Sequence, residues 1–169
     1  MDPFASAVRP LHIVAASVWF GSALMFHGFV EPTAAALGKR GEPFFLRFLS
    51  GPFRTVISLA AVVTIAAGMG MYWHDSRGLA TGWISSPTGL SYTAGGIAAL
   101  LALGIALTVT GPNTLALGAL EREFNAKGWN ACASDQRLRR AKQRLKYGGR
   151  IGTGLLTIAL VAMVVARQL

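Results

Sequence analysis

Thr55-Val-Ile-Ser-Leu-Ala-Ala-Val-Val-Thr-Ile-Ala-Ala-Gly-Met-Gly-Met-Tyr-Trp-His74 runs from Arg54 to Asp75 without one charged side chain. An ionised group at the centre of a bilayer costs at least about 2.5–3.5 kcal/mol, so a charge-free interval of this length marks a membrane-crossing helix. At about 1.5 Å rise per residue it covers a hydrocarbon core roughly 30 Å thick. Outward from it, residues 10–30 form a second such interval, bounded by Arg9 and Glu31. The long interval 78–120 divides, because residues 78–89 are rich in Gly, Ser, Thr and Pro and read as a loop, which leaves a helix from about Ser91 to Thr110. Residues 151–166 are extended to a full span by Tyr147, Arg150 and Arg167, whose polar ends reach the interfaces. The reading is an all-α integral membrane four-helix bundle, one domain over residues 1–169, with spans at about 10–31, 54–74, 91–111 and 147–167.

Composition agrees with that class. Of 169 residues 53% are hydrophobic and 14% charged, and the mean hydropathy is +0.48, far from the balance of a water-soluble domain. The lone cysteine, Cys132, excludes an internal disulfide and any paired-cysteine metal site. No Ser/His/Asp set, paired carboxylates or phosphate-binding glycine loop stands out, so hydrolase and nucleotide-dependent chemistries have no support and independent catalysis is not expected.

The connections carry the charge. Residues 43–50 (Pro-Phe-Phe-Leu-Arg-Phe-Leu-Ser) read as a short amphipathic helix in the headgroup region, with Phe44, Phe45 and Phe48 turned to lipid or bundle. Gly111-Pro112 predicts a kink or stop at the end of the third span, followed by a short helix that ends at Gly128. Ser134 or Asp135 caps the next helix, whose Leu138, Ala141 and Leu145 share one face, and which continues into the fourth span. Arg9, Arg77 and Arg167 lie on one side of this layout and the other 13 of the 16 basic residues on the opposite side. The imbalance places both connections, with the extensions of helices three and four, in the cytoplasm, and both termini outside. Tyr72, Trp73, Trp83 and Tyr92 gather at the outer ends as an aromatic belt. The first helix lacks a signal peptide's basic start and cleavage site, and is expected to be retained. The net charge of +9 reports topology and contact with lipid headgroups rather than nucleic acid.

The ligating side chains in or beside the spans are His12, His27, His74 and several methionines. His12 near the start of helix one and His74 near the end of helix two are expected at matched depth on antiparallel neighbours, where they fit the two axial ligands of a haem b. Ala15, Ala16, Gly68 and Gly70 would leave room for the macrocycle, and Trp19, two turns beyond His12, would shield it. The plainer reading makes both histidines interfacial polar residues and Trp19 a core aromatic. His27, about 22 Å farther along helix one than His12, is a site for a second cofactor or a histidine bonded to a backbone carbonyl or to Glu31. Met71 and His74, three residues apart on one face, with His12, form an alternative copper site. Gly148 and Gly152 make a Gly-x-x-x-Gly face for close helix contact.

Leu11-His12-Ile-Val-Ala-Ala-Ser-Val-Trp19-Phe20-Gly21, with Arg47-Phe48, Arg54 and Asn113, resembles the superfamily of small bacterial membrane proteins that includes copper resistance D domains. The four-span plan is also similar to the haem-binding protoporphyrinogen oxidases, in which a helix-one histidine at the position of His12 is associated with haem. The resemblance implies a multi-pass protein of the bacterial inner membrane. Three functions stand open: a haem b protein in electron transfer or a redox complex, a copper-handling protein, or a cofactor-free accessory subunit. The implied partners are the lipid bilayer, a redox partner or other membrane subunits, and further copies of the chain.

Overall fold

A computed structural model describes residues 2–129 and 135–169. Cys132 and the candidate cap Ser134 lie outside the described residues. Four helices are long and apolar enough to cross a membrane: α1 (Pro3–Ala36), α3 (Pro52–Asp75), α5 (Pro87–Lys127) and α6 (Gln136–Ala166). Two shorter helices join them, α2 (Gly41–Ser50) and α4 (Thr81–Ile84). The described residues contain no strand. Along the spans Leu11, Val14, Leu59, Val62, Leu107 and Val161 are exposed, as expected of helices whose outer faces meet lipid tails rather than water.

Each start is set locally. Asp2 caps α1 by accepting the Phe4 N–H at 3.0 Å, with Pro3 in the first turn. Pro52 opens α3, and Ser86 caps α5 through the Gly89 N–H. Asp135 caps α6, accepting from the Arg137 and Leu138 N–H groups. The Arg137 guanidinium, hydrogen-bonded to the Asp135 side chain, holds that carboxyl below the usual aspartate range. Gly128, at a φ of 96°, ends α5 in a conformation that β-carbon-bearing residues avoid.

The prolines act differently from the expected stop. Gly111-Pro112 neither ends nor splits the third span, and α5 continues as one helix of 41 residues. The turn before it widens to π geometry over Ala106–Thr110, and the Gly111 N–H reaches back five residues to the Ala106 carbonyl. Pro112 has no N–H to give and its ring crowds the carbonyl four residues back, so a wider turn relieves both conflicts. Asn113 Nδ2 then bonds to the Val109 carbonyl at 2.6 Å. The same device recurs in α1, where the π turn Phe26–Val30 precedes Glu31-Pro32. It carries α1 well past residue 31.

The bundle is two antiparallel hairpins. α1 lies along α3 and α5 along α6, while contacts between the pairs are sparse. They close most tightly at the arginine-rich end, where Phe26, Phe45, Leu46, Leu117, Phe124 and Leu138 bring four helices into one core. The amphipathic α2 therefore buries Phe45 and Leu46 and leaves Phe44 exposed. A buried and a half-buried carboxylate pin it. Ser50 Oγ donates to Glu121 at 2.9 Å, and Lys142 Nζ donates to Glu42 at 2.7 Å while lying 4.9 Å from the Phe45 ring centre. Glu42 Oε2 is buried without another partner. Lys142→Ala is therefore expected to lower stability by about 1 kcal/mol, the low end for an unpaired buried group, since both side chains keep some solvent contact. Thermal unfolding of the purified variant measures this, and adding Glu42→Gln should recover most of the loss.

At the opposite end Trp83 meets Tyr72 edge-on at 5.3 Å and stacks on Tyr92 at 6.3 Å. The predicted aromatic belt is thus a packed cluster, with Trp73 left exposed.

Candidate functional site

His12 is buried, with its imidazole between α1 and α3. Its Nδ1 lies 2.9 Å from the Thr64 carbonyl oxygen. A carbonyl only accepts, so Nδ1 carries the proton and Nε2 the lone pair. The ring lies against Gly68, where an added β-carbon would come within 2.9 Å of Cε1. The room that Gly68 makes is thus filled by the histidine itself. Gly70 faces the Phe4 ring at ordinary contact distance.

His74 sits elsewhere. It stacks on Phe4 at 5.2 Å, and its two nitrogens face Asp2 at 2.8 Å and Asp75 at 3.3 Å. The expected matched depth with His12 is not found. His12 pairs with the turn Thr64 to Gly68, and His74 lies six residues beyond Gly68, about 9 Å along the axis. The cause is the start of α1 at Pro3, which makes Phe4 and not His12 the neighbour of His74. His12 and His74 thus stand apart in this structure, each with its own partners. The two carboxylates do not converge with His74 on one point, because the ring lies between them. Met71 is half-buried one turn before His74. Among the described residues no group of three or more His, Cys, Asp or Glu could hold a metal ion.

His27 and Trp19 do come together. Both line a cavity of about 400 Å³ between the hairpins, shared with Arg54 from α3, Thr110 from α5, and Gly149 and Thr153 from α6. The His27 side chain is 11% exposed, and its Nδ1 lies 2.9 Å from Glu31 Oε2, one turn on. This is the carboxylate partner expected of it. The Phe26 ring meets the imidazole edge-on at 4.9 Å. On the far side the ring is pressed against Gly149, where any β-carbon would collide with Nε2 and Cε1. Gly148 and Gly149 are buried, and Gly148 packs on Val109. The close approach at this face thus rests on Gly148 and its neighbour Gly149, while Gly152 has open space beside it.

Both π turns border this cavity, Phe26–Val30 carrying His27 and Ala106–Thr110 carrying Thr110. Such turns add one residue to a helix and re-aim the side chains around them, and they cluster at functional sites. The local signals for them are Pro32 and Pro112. The sequence does not mark Arg54, Gly149 and Thr153 as neighbours of His27, because their roles depend on helix register. No protein-family model, curated protein or solved structure matches the chain.

Proposed function

We propose that this chain is a haem b-binding membrane protein of the electron-transfer type, with its cofactor pocket in the cavity between the hairpins and His27 as the residue that would hold the group. The support is one observation: a histidine lines a largely apolar cavity and has its second nitrogen held by a carboxylate, Glu31. A carboxylate on Nδ1 fixes the tautomer and raises the basicity of Nε2, the usual support for a ligating imidazole; because Nε2 packs on Gly149, holding the iron would require α6 to draw back from the ring. The donor set fits the group in a second respect, since Arg54 lines the same cavity and would pair with a propionate. Trp19 closes one wall, and the volume lies within the usual range of about 300–1,000 Å³ for ligand pockets. Contacts between the hairpins are sparse along the spans, but His27 adjoins the closely packed end, so admitting a macrocycle would require the hairpins to part there. A haem bound here would supply one-electron transfer within the bilayer. His12 then serves to lock α1 on α3, and His74 with Asp2 and Asp75 to hold the start of α1.

The protein is read as lying in a bacterial inner membrane with the arginine-rich end in the cytoplasm, both termini outside and α2 at headgroup depth, on the 13 to 3 distribution of basic residues. A redox partner or another membrane subunit would exchange the electron.

The test is the absorption spectrum of detergent-purified protein, as isolated and after dithionite, with a pyridine haemochrome assay. A Soret band is expected, and His27→Ala should remove it while His12→Ala and His74→Ala retain it. Loss with either of the latter and retention with His27→Ala would restore the His12–His74 pair. A colourless protein from haem-replete cells would reject the haem reading, and metal analysis after copper loading would then separate the copper-handling reading from the cofactor-free subunit.

A further inference from the structure

We propose that the groove between α5 and α6 at the arginine-rich end is a binding site for one phospholipid with an anionic headgroup. The groove encloses about 470 Å³ and is lined by Ile105 and Val109 of α5 and by Arg140, Arg144, Tyr147 and Ile151 of α6, among others. On α6 these four residues follow at steps of three and four and share one face. The two guanidiniums stand at one end of that face. Ile151 lies about 10 Å along the axis from Arg144, with the Tyr147 ring between. The cationic head and apolar tail of the groove thus follow the length of a lipid from phosphate to upper acyl chain.

Charge complementarity selects the lipid. Arg137 is paired with Asp135 and Glu123, and Lys142 with Glu42. Among the described residues, by contrast, Arg140 and Arg144 have no hydrogen-bond or ion-pair partner. The lining contains no carboxylate, so nothing there would pair with the cationic part of a zwitterionic headgroup. Guanidiniums one turn apart suit a phosphate oxygen set. The apolar half favours a lipid over free phosphate, since Tyr147 and Ile151 are more than half exposed and gain cover from an acyl chain. The groove owes its floor to Gly148, where a β-carbon would come within 2.8 Å of Val109 Cγ1.

Native mass spectrometry of the full chain, released from nanodiscs of equimolar phosphatidylglycerol and phosphatidylcholine, tests the site. The wild type should retain phosphatidylglycerol in preference to phosphatidylcholine. The double variant R140Q/R144Q should bind it about thirtyfold more weakly, the loss of two cations each placed against an anionic lipid. The control K146Q/R150Q removes two exposed charges outside the groove and should retain the lipid, with circular dichroism unchanged in both. Equal retention of the two lipids by the wild type, equal losses in the two double variants, or full retention by R140Q/R144Q would overturn the proposal. Displacement of the lipid by millimolar glycerol phosphate would overturn it in favour of a phosphate-only site.

Discussion

Gly149→Ala is expected to destabilise the protein by about 1–3 kcal/mol, the range for overpacking a filled interior, even though alanine is the better helix former. The sign follows from magnitudes. In an exposed helix interior the exchange would gain up to about 1 kcal/mol. Here the new methyl group would occupy the position of the His27 ring. The ring cannot rotate away freely, because Nδ1 is held by Glu31 and one edge is packed on Phe26. It must leave the carboxylate or push α6 from α1. In a His27→Ala background the obstacle is gone, and Gly149→Ala should become neutral or stabilising. Thermal unfolding of the two single variants and the double variant measures the coupling, and additive losses would show that His27 and Gly149 do not touch in the folded protein.

Leu117→Ala should cost more, about 2–5 kcal/mol, the range for truncating a fully buried leucine. Leu117 is 0% exposed, in the core where α1, α2, α5 and α6 meet. Little can move in to fill the void. Leu46 is equally enclosed on the facing side of α2, and the Glu121 and Glu42 contacts pin that helix. Truncation along the spans should cost far less, because exposed side chains such as Leu59 and Val62 face lipid and exchange one apolar surrounding for another. Comparison of Leu117→Ala with Leu59→Ala in detergent-resistant unfolding measures the difference. Similar losses would mean that the arginine-rich end is not the main source of tertiary stability.

The number of helices long and apolar enough to span was legible in the sequence, since charge-free length is a property of consecutive residues, whereas α1 and α5 run well beyond the limits read from it. So were the α2 helix, the Asp135 cap, the Gly128 stop and the Glu31 partner of His27, each set by neighbours within four residues or so. Pro112 was legible as a disturbance but not as a π turn, because proline only removes a hydrogen bond and the surrounding packing decides whether the helix stops, bends or widens.

Register belongs to the tertiary structure alone. His12 and His74 both sit near helix ends, and counting residues puts them level, yet α1 starts at Pro3 and the offset of about 9 Å sends one to Thr64 and Gly68 and the other to Asp2 and Phe4. Trp19 and His27 meet at one cavity because the hairpins part between them and because Gly149 of α6 comes close enough to touch His27. Local chemistry therefore determined that the chain forms these helices and which side chains are capable of ligation. The axial offsets between helices, set by packing over residues far apart in sequence, decided which of those side chains face a cavity and which face each other.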